Sequence, residues 1–209
     1  MPVPNPIVEG AFTLADMLTP DECAAYIALS ERIGYEAATI NTAAGVEHRP
    51  DVRNNDRVIH DDPALAATLW ALVASYLPPT VADRKALGLN ERFRFYRYDP
   101  GQRFDWHLDG YFERDNGERS LYTVLFFLND NIEGGETRFR VRDGEDAKTV
   151  AVKPAAGQVL VFRHELMHEG APVTAGRNYI LRSDVMYSPS ANARPRSWLN
   201  RRSCTLAEC

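Results

Sequence analysis

Three residues of this chain carry the donor atoms of a metal site at a spacing that backbone geometry can use. In Trp106-His107-Leu108-Asp109 a histidine and an aspartate stand two positions apart. On a β-strand such residues leave the same face, about 7 Å apart along the backbone, so they converge on one ion only where the strand bends or ends. A third ligand must come from another element, and His168 follows shortly after the apolar run Val159-Leu160-Val161-Phe162. Two neutral imidazoles and one carboxylate on one side of an ion leave the other coordination positions open for reactants.

A second motif overlaps the first. His164-Glu165-Leu166-Met167-His168 spells H-E-x-x-H, which binds zinc when a helix sets both histidines on one face and the glutamate acts as general base. Here a strand-like run precedes it, and Gly170 and Pro172 follow almost at once, so no helix of sufficient length is expected. A zinc-dependent hydrolase would also leave His107 and Asp109 without a role. The oxygenase pattern, a two-histidine, one-carboxylate face for non-haem Fe(II), takes in both, and His164 is then expected behind the ligands or at the surface.

The elements that must position these residues are legible in outline. Thr19-Pro20-Asp21-Glu22 supplies an N-cap, a first-turn proline and a capping-box glutamate, predicting a helix to about Ile33 with Gly34 as its stop. Asp62-Pro63 opens a second helix through Leu65, Leu69, Leu72, Val73 and Tyr76, stopped by Pro78-Pro79, and a short third helix is predicted near Val81 to Leu87. From Arg92 the texture changes to strands: 92–98, 121–128, 137–141, 149–152, 158–162 and 179–187, separated by Gly, Pro, Asn and Asp turns. A helical lead-in followed by many short strands predicts a β-rich α+β domain, a barrel or sandwich with helices packed on one face. Residues 1–90 read as a mainly helical support region, 91–188 as the β core and 189–209 as a tail.

Composition bounds the function. The 209 residues, 44% hydrophobic and 25% charged, suit one soluble globular domain. A net charge of −5 gives no electrostatic case for a nucleic-acid partner. Arg194, Arg196, Arg201 and Arg202 read as a solvated tail rather than a binding arm. No apolar run is long enough to span a bilayer, and MPVPNPIVEG lacks the basic start and apolar stretch of a signal peptide. Cys23, Cys204 and Cys209 make no disulfide framework, so a reducing, cytoplasmic setting is expected.

Four blocks, RFYRYDPGQRFDWHLDGYF, TVLFFLNDNIEGGETRF, VKPAAGQVLVFRHELMHEG and VTAGRNYILRSDVMY, resemble in order and spacing the catalytic domain of the prolyl 4-hydroxylase-like branch of the Fe(II)/2-oxoglutarate-dependent dioxygenases. The resemblance implies a double-stranded β-helix and, as cofactors, Fe(II), 2-oxoglutarate and O2, with ascorbate as a stimulant. It implies hydroxylation of an unactivated C–H bond, with succinate and CO2 as co-products, on a peptidyl proline or, alternatively, a free amino acid or other small molecule. Residue by residue it makes His107, Asp109 and His168 the iron ligands, Arg177 the partner of the far carboxylate of 2-oxoglutarate, and Tyr98 and Thr137 further contacts to it. Many relatives hold that carboxylate with lysine, and some add a tyrosine where this chain has Phe127. Arg182, five residues beyond Arg177, falls on the opposite strand face by parity and is read as a structural residue or one supporting the ligands, with the anchor role as its alternative. The segment around Asn55 and Arg57 borders the substrate mouth by resemblance, so Arg57 is a candidate for a substrate carboxylate, or else a salt-bridge partner of Asp56 or Asp61. Trp106 and Tyr111, flanking the iron ligands, are candidates to line the cleft.

Overall fold

The two predicted caps form as their residue types demand. Thr19 accepts a hydrogen bond from the Glu22 amide, and the Glu22 carboxylate accepts one from the Thr19 amide, closing the capping box of α1 (Pro20–Ile33). The Asp62 carboxylate accepts from the amides of Ala64 and Leu65 at the head of α2 (Pro63–Val73). The computed structural model describes residues 2–42, 45–143 and 146–191, so the C-terminal arginines, Cys204 and Cys209 lie outside the described residues.

The predicted third helix is instead a hairpin. Thr80–Val81 pairs with Arg84–Leu89 across a turn in which Ala82 has φ 53°. Exposure alternates along Lys85, Ala86, Leu87 and Gly88, a period of two, and the strand pairs with the end of Asn178–Tyr187. A sheet edge in need of a partner overrides the helical preference of the alanine, leucine and lysine there. The same reason corrects the reading of residues 1–90 as mainly helical, because among the described residues eight strands share that stretch with the two α-helices. Most of them complete the edges of a sheet whose centre lies in the second half of the chain.

That sheet runs Asn5–Val8, Ala11–Leu14, Val159–Arg163, Arg119–Phe127, Asn178–Tyr187, Arg92–Tyr98, Asp56–Asp61 and Glu36–Ala37, with the Arg84–Leu89 hairpin on its flank. A smaller sheet, Phe104–His107, His168–Gly170, Thr137–Asp143 and Asp146–Val152, faces it. All pairings are antiparallel. Two antiparallel sheets face to face make the double-stranded β-helix.

The larger sheet is buried on both faces, and strand parity sorts its residues. Phe93, Phe95, Val124, Phe126, Leu181 and Val185 pack outward against Leu65, Leu69 and Val73 of α2. Tyr96, Tyr98, Leu125, Phe127 and Ile180 point inward, with Phe104, Phe139 and Phe162. Phe95, fully buried, belongs to the layer that holds the helices, away from the space between the sheets. Phe95→Ala is expected to cost about 3–5 kcal/mol of stability, read as a lower urea midpoint with an unchanged slope.

Candidate functional site

The three sequence-predicted ligands converge at the open edge of the space between the sheets. Phe104–His107 pairs with His168–Gly170 so that His107 lies directly opposite His168. The strand ends at His107, Leu108 swings out to 49% exposure, and Asp109 turns back inward, its amide held by the His164 carbonyl at 3.1 Å. One donor atom from each of His107, Asp109 and His168 lies within 4.8 Å of the others.

Each ligand is held in the state a metal requires. The Nδ1 of His107 lies 2.7 Å from the Asp105 carbonyl and that of His168 2.8 Å from the Leu166 carbonyl. A carbonyl only accepts, so each Nδ1 carries the proton and each Nε2 presents a lone pair inward. Burial, reinforced at His107 by the neighbouring His168, pushes both imidazoles below their ordinary pKa and keeps them neutral. Burial opposes the charge of Asp109, but Arg182 and the two histidines hold its carboxyl well below the usual range. Thr123 donates to its Oδ2 at 2.5 Å, and Arg182 lies 2.9 Å from its Oδ1. That second contact is an ion pair without hydrogen-bond geometry, which leaves Oδ1 a free lone pair. The donor set therefore fits an Fe(II) ion.

Arg182 is itself held from behind. Asp184, on the same strand face, lies 3.2 Å from Arg182 and 3.2 Å from Arg94, with the His164 Nε2 at 3.7 Å. His164 thus sits behind the ligands. Residues 164–167 form a turn between two strands, and Glu165 is exposed and pairs with Arg163, so the helical zinc motif is not formed.

Beyond the metal position a cavity runs inward, lined by Tyr96, Phe104, Phe162 and Ile180 and ending at Tyr98, Gly135, Thr137 and Asn178. Burial pushes the Tyr98 hydroxyl up to about 12, so it keeps its proton and can donate. Tyr98 and Thr137 line the inner end of this cavity. Arg177 does not. Tyr98 lies opposite Asn178 in the sheet, so Asn178 faces the cavity and Arg177 faces out. Its side chain is 45% exposed and pairs with Asp99 at 2.6 Å. The parity argument that put Arg177 and Arg182 on opposite faces is right, but the inward face is that of Arg182. The signal was Arg182 and Asp184, two charges on one face of an otherwise apolar strand.

Among the substrate candidates, Asn55 is buried and accepts from the Arg53 Nε at 2.7 Å, so it positions an arginine instead of lining the mouth. Trp106 lies under the Arg140 guanidinium at 4.2 Å and Tyr111 under that of Arg119 at 3.9 Å, and neither lines the cavity. Arg57 pairs with neither expected acid: Asp56 is taken by Arg97 and Asp61 by Arg92. It is half-buried and donates to the Thr39 hydroxyl at 3.0 Å. Sequence reasoning gave no role to Arg53 or Tyr96, whose hydroxyl is buried without a partner beside Arg182 and Arg53.

Residues 93–183 match the model of the 2OG-Fe(II) oxygenase superfamily, a span that holds all three ligands. This segment is similar to 2OG-Fe(II) oxygenase domains, those of prolyl 4-hydroxylases among them. A PKHD-type hydroxylase of Synechococcus sp. (strain CC9605) is 34% identical over 85 residues, 40% of this chain and 36% of that protein. Prolyl 4-hydroxylase 1 of Arabidopsis thaliana is 26% identical over 167 residues, 71% of this chain and 56% of its own length. The chain thus spans less than two thirds of the length of either. A Trichoplax adhaerens prolyl hydroxylase, solved in complex with a hypoxia inducible factor oxygen degradation domain peptide fragment, superposes with a TM-score of 0.65 at 17% identity, covering 84% of this chain and 83% of that one. The matched family is described by 2-oxoglutarate and Fe(II), and the donor set of His107, Asp109 and His168 fits that ion.

His107→Ala and His168→Ala are each expected to weaken Fe(II) binding by more than about a hundredfold, since removing even an outer-shell partner costs up to that much. His164→Ala should retain the metal, and loss of metal in His164→Ala alone would revive the zinc motif. Isothermal titration under anaerobic conditions reads the difference. Arg177→Ala should leave 2-oxoglutarate affinity unchanged and shift stability by less than about 1 kcal/mol, as expected of an exposed ion pair.

Proposed function

We propose that this chain is an Fe(II)- and 2-oxoglutarate-dependent hydroxylase of the prolyl 4-hydroxylase kind, placing a hydroxyl on an unactivated C–H bond of a peptidyl proline. The convergence of His107, Asp109 and His168 at the head of a cavity that continues inward to Tyr98 and Thr137 carries this reading. When bound, Fe(II) with 2-oxoglutarate and O2 supplies the oxidising power, the co-substrate ending as succinate and CO2 and one oxygen atom ending on the substrate carbon.

The chain's own residues bind, orient and exclude. His107 and His168 offer neutral Nε2 donors, while Arg182 and Thr123 keep Asp109 ionised and fixed in orientation. Tyr98 and Thr137 offer hydroxyl donors to a carboxylate at the inner end, and Phe104, Phe162 and Ile180 keep water from the walls. Peptide substrates are supported by the likeness to the Trichoplax enzyme and its bound fragment. A reducing, cytoplasmic setting belongs to the same proposal, supported by Cys23, a buried free thiol.

Arg57 favours a second reading in which the substrate is a free amino acid or other small acid. Its guanidinium is half-buried within the electrostatic reach of Arg53, Arg94 and Arg182, and its hydrogen-bond partner among the described residues is a neutral hydroxyl. A substrate carboxylate would complete it. Incubation with proline-containing peptides, free amino acids and small acids, read by mass spectrometry for the gain of one oxygen atom, separates the two readings. Under the second, Arg57→Ala raises KM for the substrate by about tenfold while substrate-free consumption of 2-oxoglutarate continues. An equal fall in both activities with a lower melting temperature would make Arg57 a structural residue.

A further inference from the structure

The inner end of the cavity poses a charge problem. A dicarboxylate that chelates the metal through one end places its second carboxylate among Tyr98, Gly135, Thr137 and Asn178. These offer hydroxyls and an amide but no positive charge. Asn178 donates weakly to the Gly135 carbonyl at 3.4 Å, and its own side-chain oxygen has no partner. Arg177 points away, and Arg182, at the metal end, is engaged by Asp109 and Asp184. Burying a carboxylate without a cation is costly, so another residue must supply the charge.

We propose that Arg53 supplies it, so that the far carboxylate of 2-oxoglutarate is neutralised from the N-terminal segment and not from the strand Asn178–Tyr187. Arg53 is fully buried, yet both terminal nitrogens of its guanidinium lack a hydrogen-bond partner, its Nε bonds only the neutral Asn55, and it forms no ion pair among the described residues. The guanidinium lies 4.6 Å from the ring centre of Tyr96 and 4.4 Å from that of Phe104, both of which wall the cavity. It therefore stands about one ring's thickness from the ligand space, where a low dielectric preserves its field. A Cβ built on Gly170 would lie 3.7 Å from both the Phe104 side chain and the Tyr98 hydroxyl, so the residue whose ring Arg53 covers stands beside that hydroxyl.

The backbone fixes this position. Arg53 bridges Phe104 in the strand that carries His107, the Asp105 amide donates to the Val52 carbonyl at 2.8 Å, and the Arg53 amide donates to that of Arg49 at 2.9 Å. The division of labour is then clear. Tyr98, Thr137 and the Asn178 amide donate the hydrogen bonds, and Arg53 supplies the charge.

This inference rests on 2-oxoglutarate being the co-substrate, and the test separates the two claims. The Fe(II) protein is titrated anaerobically with 2-oxoglutarate and with 2-oxobutanoate, which chelates alike but lacks the far carboxylate, following the metal-to-ligand charge-transfer band. Arg53→Gln should weaken 2-oxoglutarate by roughly tenfold or more, the loss of a charge acting across one ring at low dielectric, and leave 2-oxobutanoate and Fe(II) binding unchanged. That unchanged binding also reports that the variant folds. Adding Asn178→Arg to Arg53→Gln should restore 2-oxoglutarate affinity by putting the cation on the strand. Unchanged 2-oxoglutarate affinity in Arg53→Gln, or an equal loss for both ligands, overturns the assignment. If Arg53→Gln fails to fold, Arg53→Lys serves in its place: retained preference for 2-oxoglutarate over 2-oxobutanoate supports the role, and loss of that preference with a normal metal site contradicts it. Failure of the wild-type protein to give a band with either ligand would instead sink the hydroxylase reading itself.

Discussion

The ion pair between Asp109 and Arg182 is the interaction on which the site depends. Asp109 is the one carboxylate of the ligand set, and its side chain is wholly buried. A buried charge is costly unless paired, and breaking such a pair by removing one partner costs about 3–5 kcal/mol. Arg182 meets that requirement without taking the lone pair that a metal would use, because its contact with Oδ1 is Coulombic and lacks hydrogen-bond geometry. Arg182 needs its own counter-charge, and Asp184 provides it while also meeting Arg94 and His164. A chain of alternating charges thus runs through the inner face of the large sheet and ends at the metal position.

The fold exists in a form that can hold such a chain. Antiparallel pairing sets Arg94 opposite Arg182, Leu125 opposite Arg182 and Thr123 opposite Asp184. Strand parity therefore brings residues from three neighbouring strands to one spot without any local irregularity. The outward face of the same strands carries the phenylalanines and leucines that seat α2, so the apolar layer that stabilises the sheet also fixes the register of the charges. The small sheet contributes the two histidines from facing strands, and the bend after His107 brings the aspartate to them. Rigid elements on both sides keep the ligands in place before any ion arrives.

Local signals were read well from the sequence, and signals of pairing were not. The caps at Thr19 and Asp62 and the strand Arg92–Tyr98 depend on neighbouring residues, and the structure forms them where the residue types indicate. His107, Asp109 and His168 were legible because their donor types are rare in combination. The segment 81–87 misled because its helical propensity is local, whereas the edge of Asn178–Tyr187 that recruits it lies about a hundred residues away in sequence. Arg177 misled for a related reason. Parity says which residues share a face, but only the pairing of Tyr98 with Asn178 says which face looks inward. Arg53 carried no sequence signal of its own, since its isolation from carboxylates is a property of the folded interior.

In the proposed site His107, Asp109 and His168 together hold the metal and leave a reactant-binding face toward Tyr98 and Thr137. A crystal structure of the protein with Mn(II) in place of the iron and 2-oxoglutarate, grown without oxygen, tests this most directly. One ion is expected, bonded to the Nε2 atoms of His107 and His168 and to Oδ1 of Asp109, with the keto acid chelating it and its chain running inward along Tyr96 and Ile180. An ion bonded to His164 and His168, with Asp109 still paired to Arg182 and free of metal, would contradict it.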